Sequence, residues 1–167
     1  MASRLIKVQY RRRRENKTDY LARRKMLEGD IPRIVIRKTN RYIIAELVVS
    51  KEAQDKVICS ANSKELSELG WGIKFSIKNI SAAYLTGLLL GKKMKQKKYP
   101  EAILDAGLIR STKGSKIYAA LKGVVDAGIE VPHSETILPS VERIKGAHLK
   151  DMNNIFEKTK GEIEKIK

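Results

Sequence analysis

Between Pro32 and Ser60 the apolar residues fall in short extended runs, and after Ser81 they fall mainly in helical stripes. Pro32 opens Ile34-Val35-Ile36, and Tyr42-Ile43-Ile44-Ala45-Glu46-Leu47-Val48-Val49 follows the turn residues Thr39-Asn40. Two β-rich runs this close predict a hairpin, with Asn40 tolerating positive φ at the turn. The second run is apolar at nearly every position, which predicts a strand covered on both faces. Val57-Ile58-Cys59-Ser60 reads as a third strand with Asp55-Lys56 as its turn, and Ala102-Ile103-Leu104 as a short fourth.

The helical stripes carry their own punctuation. Thr18 is placed to cap a helix to about Glu28, with Gly29 as its stop. Ser63 is expected to cap a short helix that Gly70-Trp71-Gly72 breaks. Ser81 is expected to cap a helix from Ala82 to about Lys97. Leu85, Leu88, Leu89, Leu90 and Met94 surround that helix, so its first half is expected to be buried on most sides. Gly87 and Gly91, one turn apart, would let another backbone approach. Ser115 opens a helix to about Ala127 with inner stripe Ile117, Leu121, Val124 and Val125, and Gly128 stops it. His133 to Gly146 shows little periodicity. Lys150 to Lys167 reads as a helix striped by Met152, Ile155, Phe156, Ile163 and Ile166. Strands first, then strand and helix alternating, predict an α/β fold: a mixed β-sheet with packed helices. The 167 residues divide into an arm (1–17), a core domain (18–131) and a C-terminal extension ending in a helix (132–167).

Charge changes what this fold is for. Thirty-five Lys and Arg oppose 19 Asp and Glu, a net of +16. Such a surface attracts polyanions, because each phosphate neutralised releases condensed counterions. The charge is also clustered. Residues 1–25 hold ten basic side chains against two acidic, 92–98 hold five lysines and no acid, and 110–122 hold four bases and no acid. Residues 123–167, with seven bases and eight acids, are nearly neutral. No apolar run approaches the roughly 18 residues of a membrane span and no signal-peptide core is present, so the chain is expected to be cytoplasmic. The single Cys59, flanked by Val57 and Ile58, reads as an inert thiol, and it supports neither a disulfide nor a thiolate metal site.

Within the clusters, particular residues suit RNA. Arg11-Arg12-Arg13-Arg14 offer planar forks that meet phosphates bidentately and stack on bases, and Tyr10 and Tyr20 flank them. Asn16, Lys17 and Thr18 continue the arm, and Arg23 and Arg24 follow in the first helix. The arm has too few apolar residues to pack, and is expected to order on RNA. Arg33 and Arg37 share a strand face with Val35, so they either snorkel to the sheet edge or meet RNA, and RNA is the favoured reading. Thr39, Asn40 and Arg41 at the turn are expected to reach 2′-hydroxyls and phosphates. Arg110, Ser111, Thr112, Lys113, Gly114, Ser115 and Lys116 form a small, hydroxylated, basic loop before a helix. That composition suits a phosphate cradle, although an ordinary loop with a Ser cap uses most of the same residues. The lysines of 92–98 sit at a helix C-terminus, where cations offset the macrodipole whether or not RNA is present.

Other motifs fail on spacing. Gly87 to Lys93 imitates a P-loop but has three residues between the glycines, ends in Lys and lies inside a helix. His133 and His148 with one cysteine are too few ligands for a metal, and no cofactor is expected. Asn16-Lys17-Thr18 and Asn79-Ile80-Ser81 match a glycosylation pattern that a cytosolic chain never has read.

The order of segments resembles the archaeal L-eighteen ribosomal protein family. The likeness is carried by Tyr10 to Arg14 with Lys17-Thr18-Asp19-Tyr20, by Arg37 to Arg41, and by Ser63-Lys64-Glu65-Leu66 with Leu69-Gly70-Trp71. Ala82 to Lys93, Leu104-Asp105-Ala106-Gly107-Leu108, and Ala127-Gly128 with Val131-Pro132-His133-Ser134 complete it, so it runs from about residue 7 to 150 in order. The resemblance implies a structural protein of the large subunit's central protuberance. It would bind 5S rRNA, touch the large-subunit rRNA and neighbour the L-five-type ribosomal protein, with no expectation of homo-oligomers. It also implies a ribonuclease-H-like topology, an RNA role for Ser63, and a tail after Val131 of archaeal and eukaryotic type. The final helix, neutral and weakly matched, is expected to dock on the globule or a protein neighbour.

That topology makes a nuclease the main rival. Two-metal cleavage needs converging carboxylates, whereas Ile34 to Lys38 contains no acid and Asp105 and Glu46 are scattered. Catalysis is not expected. A free RNA chaperone is the other alternative, distinguished by equal binding to unrelated structured RNAs.

Overall fold

The computed structural model describes residues 8–51, 54–72 and 75–166. Four strands form one mixed sheet in the order β3-β2-β1-β4: β1 (Arg33–Lys38), β2 (Ile43–Lys51), β3 (Gln54–Asn62) and β4 (Ile103–Asp105). β1 pairs antiparallel with β2, from Arg33 opposite Val48 to Lys38 opposite Ile43, and parallel with β4. Six α-helices lie among the described residues: α1 (Arg11–Arg14), α2 (Tyr20–Leu27), α3 (Ile80–Gln96), α4 (Lys116–Asp126), α5 (Val141–Lys145) and α6 (Met152–Lys165). None is long and apolar enough to cross a membrane.

Period-two alternation assigns the faces of the sheet. Ile34 and Ile36 of β1 and Ile43, Ala45 and Leu47 of β2 are buried in one core with α3 and α4. The opposite face is closed only in part: Val35, Ile44 and Glu46 are half-buried, although Val48 beside a β-bulge is buried. The expectation that β2 is covered on both faces is therefore corrected.

The helices α3 and α4 are packed nearly backbone to backbone. A Cβ on Gly87 would stand 1.9 Å from the Ala120 carbonyl oxygen, and one on Gly91 would stand 2.4 Å from the Ala127 Cβ. The sequence pattern anticipates both approaches but not that of Gly123 on α4, where a Cβ would lie 2.1 Å from the Tyr84 carbonyl oxygen. With small residues on each helix at the crossing, α3 is buried almost all round through its first three turns.

Several caps sit one or more residues from where they were expected. Asp19, not Thr18, caps α2 by accepting from the Leu21 and Ala22 amides. Asn62, not Ser63, opens the short 3-10 helix Ser63–Ser67, in a capping box with Glu65. Asn79, not Ser81, caps α3 by accepting from Ala82 N–H, and Ser81 is buried. In each case the chain leaves its extended conformation and enters the helix at the Asp or Asn, whose side chain is therefore the one placed to accept from the free amides. β3 extends back to Gln54, so Asp55 is a strand residue opposite Ser50 rather than part of a turn. Positions 133–146, where the sequence shows little periodicity, hold a 3-10 turn and α5.

The C-terminal extension shares the main core. Met152, Phe156 and Ile163 of α6 are buried, and Phe156 meets Tyr84 of α3 at a centroid distance of 5.6 Å. α6 therefore docks on the globule. Phe156→Ala is expected to cost about 3 kcal/mol in unfolding free energy, by loss of burial plus the cavity left on α3. A urea melt with an unchanged midpoint would show α6 to be detachable.

Candidate nucleic-acid interface

The arm is more structured than its composition suggested. Arg11–Arg14 form a single exposed helical turn, with Glu15 near Arg11 (4.0 Å) and Lys17 (2.9 Å). Arg12 Nε donates to Thr18 Oγ1 at 2.9 Å, and the Tyr10 and Tyr20 rings lie 5.2 Å apart, tilted by 50°. The tyrosines expected to stack on bases therefore meet each other first, and they fold α1 back on the start of α2. All four arginines remain exposed, as do Asn16 and Arg24, and Arg24 pairs with Glu28.

Arg23 links the arm to the sheet. Its Nη2 donates to both Asp55 carboxylate oxygens at 2.9 Å, and Asp55 also accepts from Arg33 Nη2 at 2.8 Å and from the Ser50 hydroxyl. Burial pushes the Asp55 carboxyl up, but the Ser50 hydrogen bond and the two guanidiniums outweigh it and hold the carboxyl below its ordinary value. A group whose folded pKa is lowered stabilises above its unfolded pKa and loses that contribution as pH falls. Asp55→Asn is thus expected to lower the unfolding midpoint at pH 6, with the gap to wild type closing as acid protonates the native carboxyl. A gap independent of pH would show that Asp55 acts through packing alone.

Two residues assigned to RNA are withdrawn by their burial. Arg33 is 2% exposed, and its other nitrogen donates to Asp105 at 2.9 Å, so it closes the outer face of the sheet from within. Ser63 is wholly buried, and its hydroxyl accepts from Ile43 N–H at 3.0 Å. A phosphate could reach neither without opening the fold. Arg37 is half-exposed, but Asp105 holds its guanidinium through both the carbonyl (2.9 Å) and the carboxylate (3.3 Å).

At the other end of β1 no described carboxylate forms an ion pair with the cations. Thr39 Oγ1 accepts from Tyr42 N–H at 2.8 Å and so shapes the turn, and Asn40 does not adopt the left-handed conformation expected of it. Asn40 and Arg41 are exposed, and the Asn40 carbonyl accepts from Lys78 Nζ at 2.9 Å. Lys38 shares its strand face with Ile34 and Ile36 and so leans toward the helices, where Lys116 opens α4. Burial, then the Lys38 and Lys78 charges, push the Lys116 ammonium below its ordinary pKa. Arg110, Ser111, Thr112 and Lys113 are exposed on the same loop, with the Ser111 hydroxyl bonded to that of Tyr118. Ser115 stands at the N-cap position of α4, but its hydroxyl makes no cap hydrogen bond.

The hairpin turn and the loop before α4 therefore come together, joined by Lys78. The arm does not join them there. Arg23 and Asp55 anchor it near Arg33, about 17 Å down β1 at roughly 3.3 Å per residue. The basic groups therefore fall in two regions at the two ends of β1, with Arg37 on the sheet between them. Sequence reasoning missed Lys38 and Lys78. Lys38 was open to a period-two count along β1, but Lys78 lies in an aperiodic segment and only the tertiary fold brings it in. Among the lysines of 92–98, Lys93 Nζ donates to Glu65 and to the Ser60 carbonyl, both at 2.7 Å, which gives it a structural task.

Comparison with known proteins identifies the family. Residues 4–100 and 93–134 match the model of a family described as ribosomal large subunit proteins 60S L5 and 50S L18. The chain is 50% identical to the large ribosomal subunit protein uL18 of Korarchaeum cryptofilum, over 95% of this chain and 80% of that one. It is 49% identical to the uL18 of Methanoregula boonei over 87% and 83% of the two chains. With that of Methanothermobacter thermautotrophicus it shares 47% over 86% and 73%. On the strength of matches that span the arm, the sheet and the α3–α4 pair alike, the chain belongs to the large-subunit ribosomal protein family that includes 50S L18 and 60S L5.

Proposed function

We propose that this protein is a structural, non-enzymatic component of the large ribosomal subunit that binds 5S rRNA and helps attach it to the large-subunit rRNA. On this reading it sits in the central protuberance beside the L-five-type ribosomal protein. The observation that carries the reading is the meeting of the exposed hairpin turn, Lys38 to Arg41, with the basic loop Arg110 to Lys116. The Arg11–Arg14 turn adds a second contact region at the far end of β1. Arginine forks on phosphates, with hydroxyls and amides within reach of 2′-hydroxyls, recognise shape and backbone rather than base sequence.

The sheet order, with β4 parallel to β1 at one edge, supports a ribonuclease-H-like topology. The positions of the acids argue against its chemistry. Asp105 is occupied by Arg33, Arg37 and the Gly107 amide. Glu46 stands opposite Val35 and Ser60 on the sheet, with no second carboxylate beside it in the register. Incubation with 5S rRNA and magnesium is expected to leave the RNA intact, and turnover would overturn this reading.

Salt dependence tests the binding mode. Replacing Arg12 and Arg13 with glutamine is expected to flatten the slope of log affinity against log salt by about 1–2, at roughly 0.7–0.9 for each phosphate no longer neutralised. An unchanged slope would remove the arm from the interface. Equal affinity for an unrelated structured RNA of the same length would instead make the protein a general RNA chaperone.

A further inference from the structure

The C-terminal extension does more than cover α3. Two grooves adjoin where α3 and α4 begin, and they share Ile80 and Lys116. One, of about 310 Å³, is lined on its polar side by Lys38, Arg110, Thr112 and Lys116. The other, of about 190 Å³, runs from Lys116 to Arg143 and His148 of the extension, past Asn79 and Ser81. Among the described residues no acidic side chain lines either groove.

Elsewhere carboxylates neutralise Arg23, Arg24, Arg33, Arg37, Lys93 and Lys145. Among the described residues none forms an ion pair with Lys38, Lys78, Lys116, Arg143 or His148. The extension is nearly neutral overall, so its two groove-lining bases are a matter of placement and not of composition. α5 fixes that placement: Ser140 caps it, Ile144 buries its inner side and Gly146 ends it with φ of 70°. Arg143 and His148 are left exposed on the rim. The amino ends of α3 and α4 add partial positive charge of the same sign.

We propose that this corner is a second phosphodiester-binding surface, on which Lys78, Lys116, Arg143 and His148 continue the track that begins at Lys38 and Arg110. The occupant is the backbone of the 5S rRNA already assigned to the hairpin and loop, so the inference rests on that reading and extends it into the extension. Three features favour a nucleic acid over an acidic peptide. The cations follow two joined grooves instead of surrounding one point. The track is continuous with the hairpin–loop surface. No carboxylate in the groove lining competes for the bases. Bringing like charges together without counter-charge costs folding free energy, and a polyanion relieves that repulsion while releasing counterions.

The test uses the full chain and 5S rRNA, measuring affinity across a salt series. The double variant Arg143→Gln/His148→Gln is expected to bind several-fold more weakly near physiological salt, with a slope flattened by about 0.7–0.9. Arg143→Lys, which keeps the charge, should restore the slope, and that rescue would not follow from a merely structural defect. Lys78→Gln probes the same surface from a different segment, and is expected to flatten the slope even if the double variant fails to fold. Unchanged slopes in these variants, while the Arg12/Arg13 variant still flattens, would overturn this inference and leave the proposed function standing. Impaired incorporation into the large subunit with unchanged 5S binding would give the surface to a protein partner and equally overturn it. Wild-type protein that failed to bind 5S rRNA would sink both readings.

Discussion

Asp105→Ala is expected to lower the unfolding free energy by about 3–5 kcal/mol, the usual cost of stranding one member of a buried ion pair. Its carboxylate side chain is 8% exposed and faces an Arg33 side chain that is 2% exposed. The same carboxylate accepts from Arg37 and from the Gly107 amide. Removing it leaves Arg33 buried with only Asp55 and Ser50 as partners, while its Nε already has no hydrogen-bond partner. Arg33→Met should cost much less, because an apolar side chain of similar length fills the site and Asp105 keeps Arg37 and the Gly107 amide. Urea denaturation of the two variants measures the asymmetry. Equal losses would mean that Asp105 without Arg33 is left as poorly paired as Arg33 without Asp105, so that Arg37 and the Gly107 amide do not compensate it.

Gly87→Ala and Gly123→Ala are each expected to cost about 3 kcal/mol or more, at the upper end of overpacking penalties. The obstacle in both cases is the backbone of the partner helix, at 1.9 Å and 2.1 Å, and a backbone cannot rotate away as a side chain can. α3 and α4 must therefore move apart. Once separated for one methyl group they accommodate the other, so the double variant should lose less than the sum of the singles. Gly161 is the control: it lies in α6 with open space around its Cβ position. Alanine there should stabilise by about 0.5–1 kcal/mol through helix propensity. Additive losses at Gly87 and Gly123 would show that the two helices yield locally rather than as a pair.

How far the interface was legible depended on whether its chemistry was local. The arginine run, the hairpin turn and the loop before α4 are contiguous in sequence, and the structure leaves most of their side chains exposed. Arg33 and Ser63 were misread for one shared reason. A polar residue on a strand or at a cap position looks available until its partners are known, and those partners, Asp105 and Ile43, lie 72 and 20 residues away. The caps were misplaced because hydroxyl and amide side chains stand close together in the sequence, and only backbone geometry shows which reaches the free amides.

The sequence alone determined most element types, a close backbone approach at Gly87 and Gly91 and the polyanion-seeking charge, since these follow from periodicity, small residues at one-turn spacing and unbalanced lysines and arginines. Tertiary structure alone decided which cations remain free. Pairing depends on distances of a few ångströms between residues far apart in the chain, and Coulomb energy falls off with those distances and not with separation along the sequence. Asp55 and Asp105 therefore bind Arg23, Arg33 and Arg37 into the fold, while Lys38, Lys78 and Lys116 are drawn together with no described carboxylate to pair them.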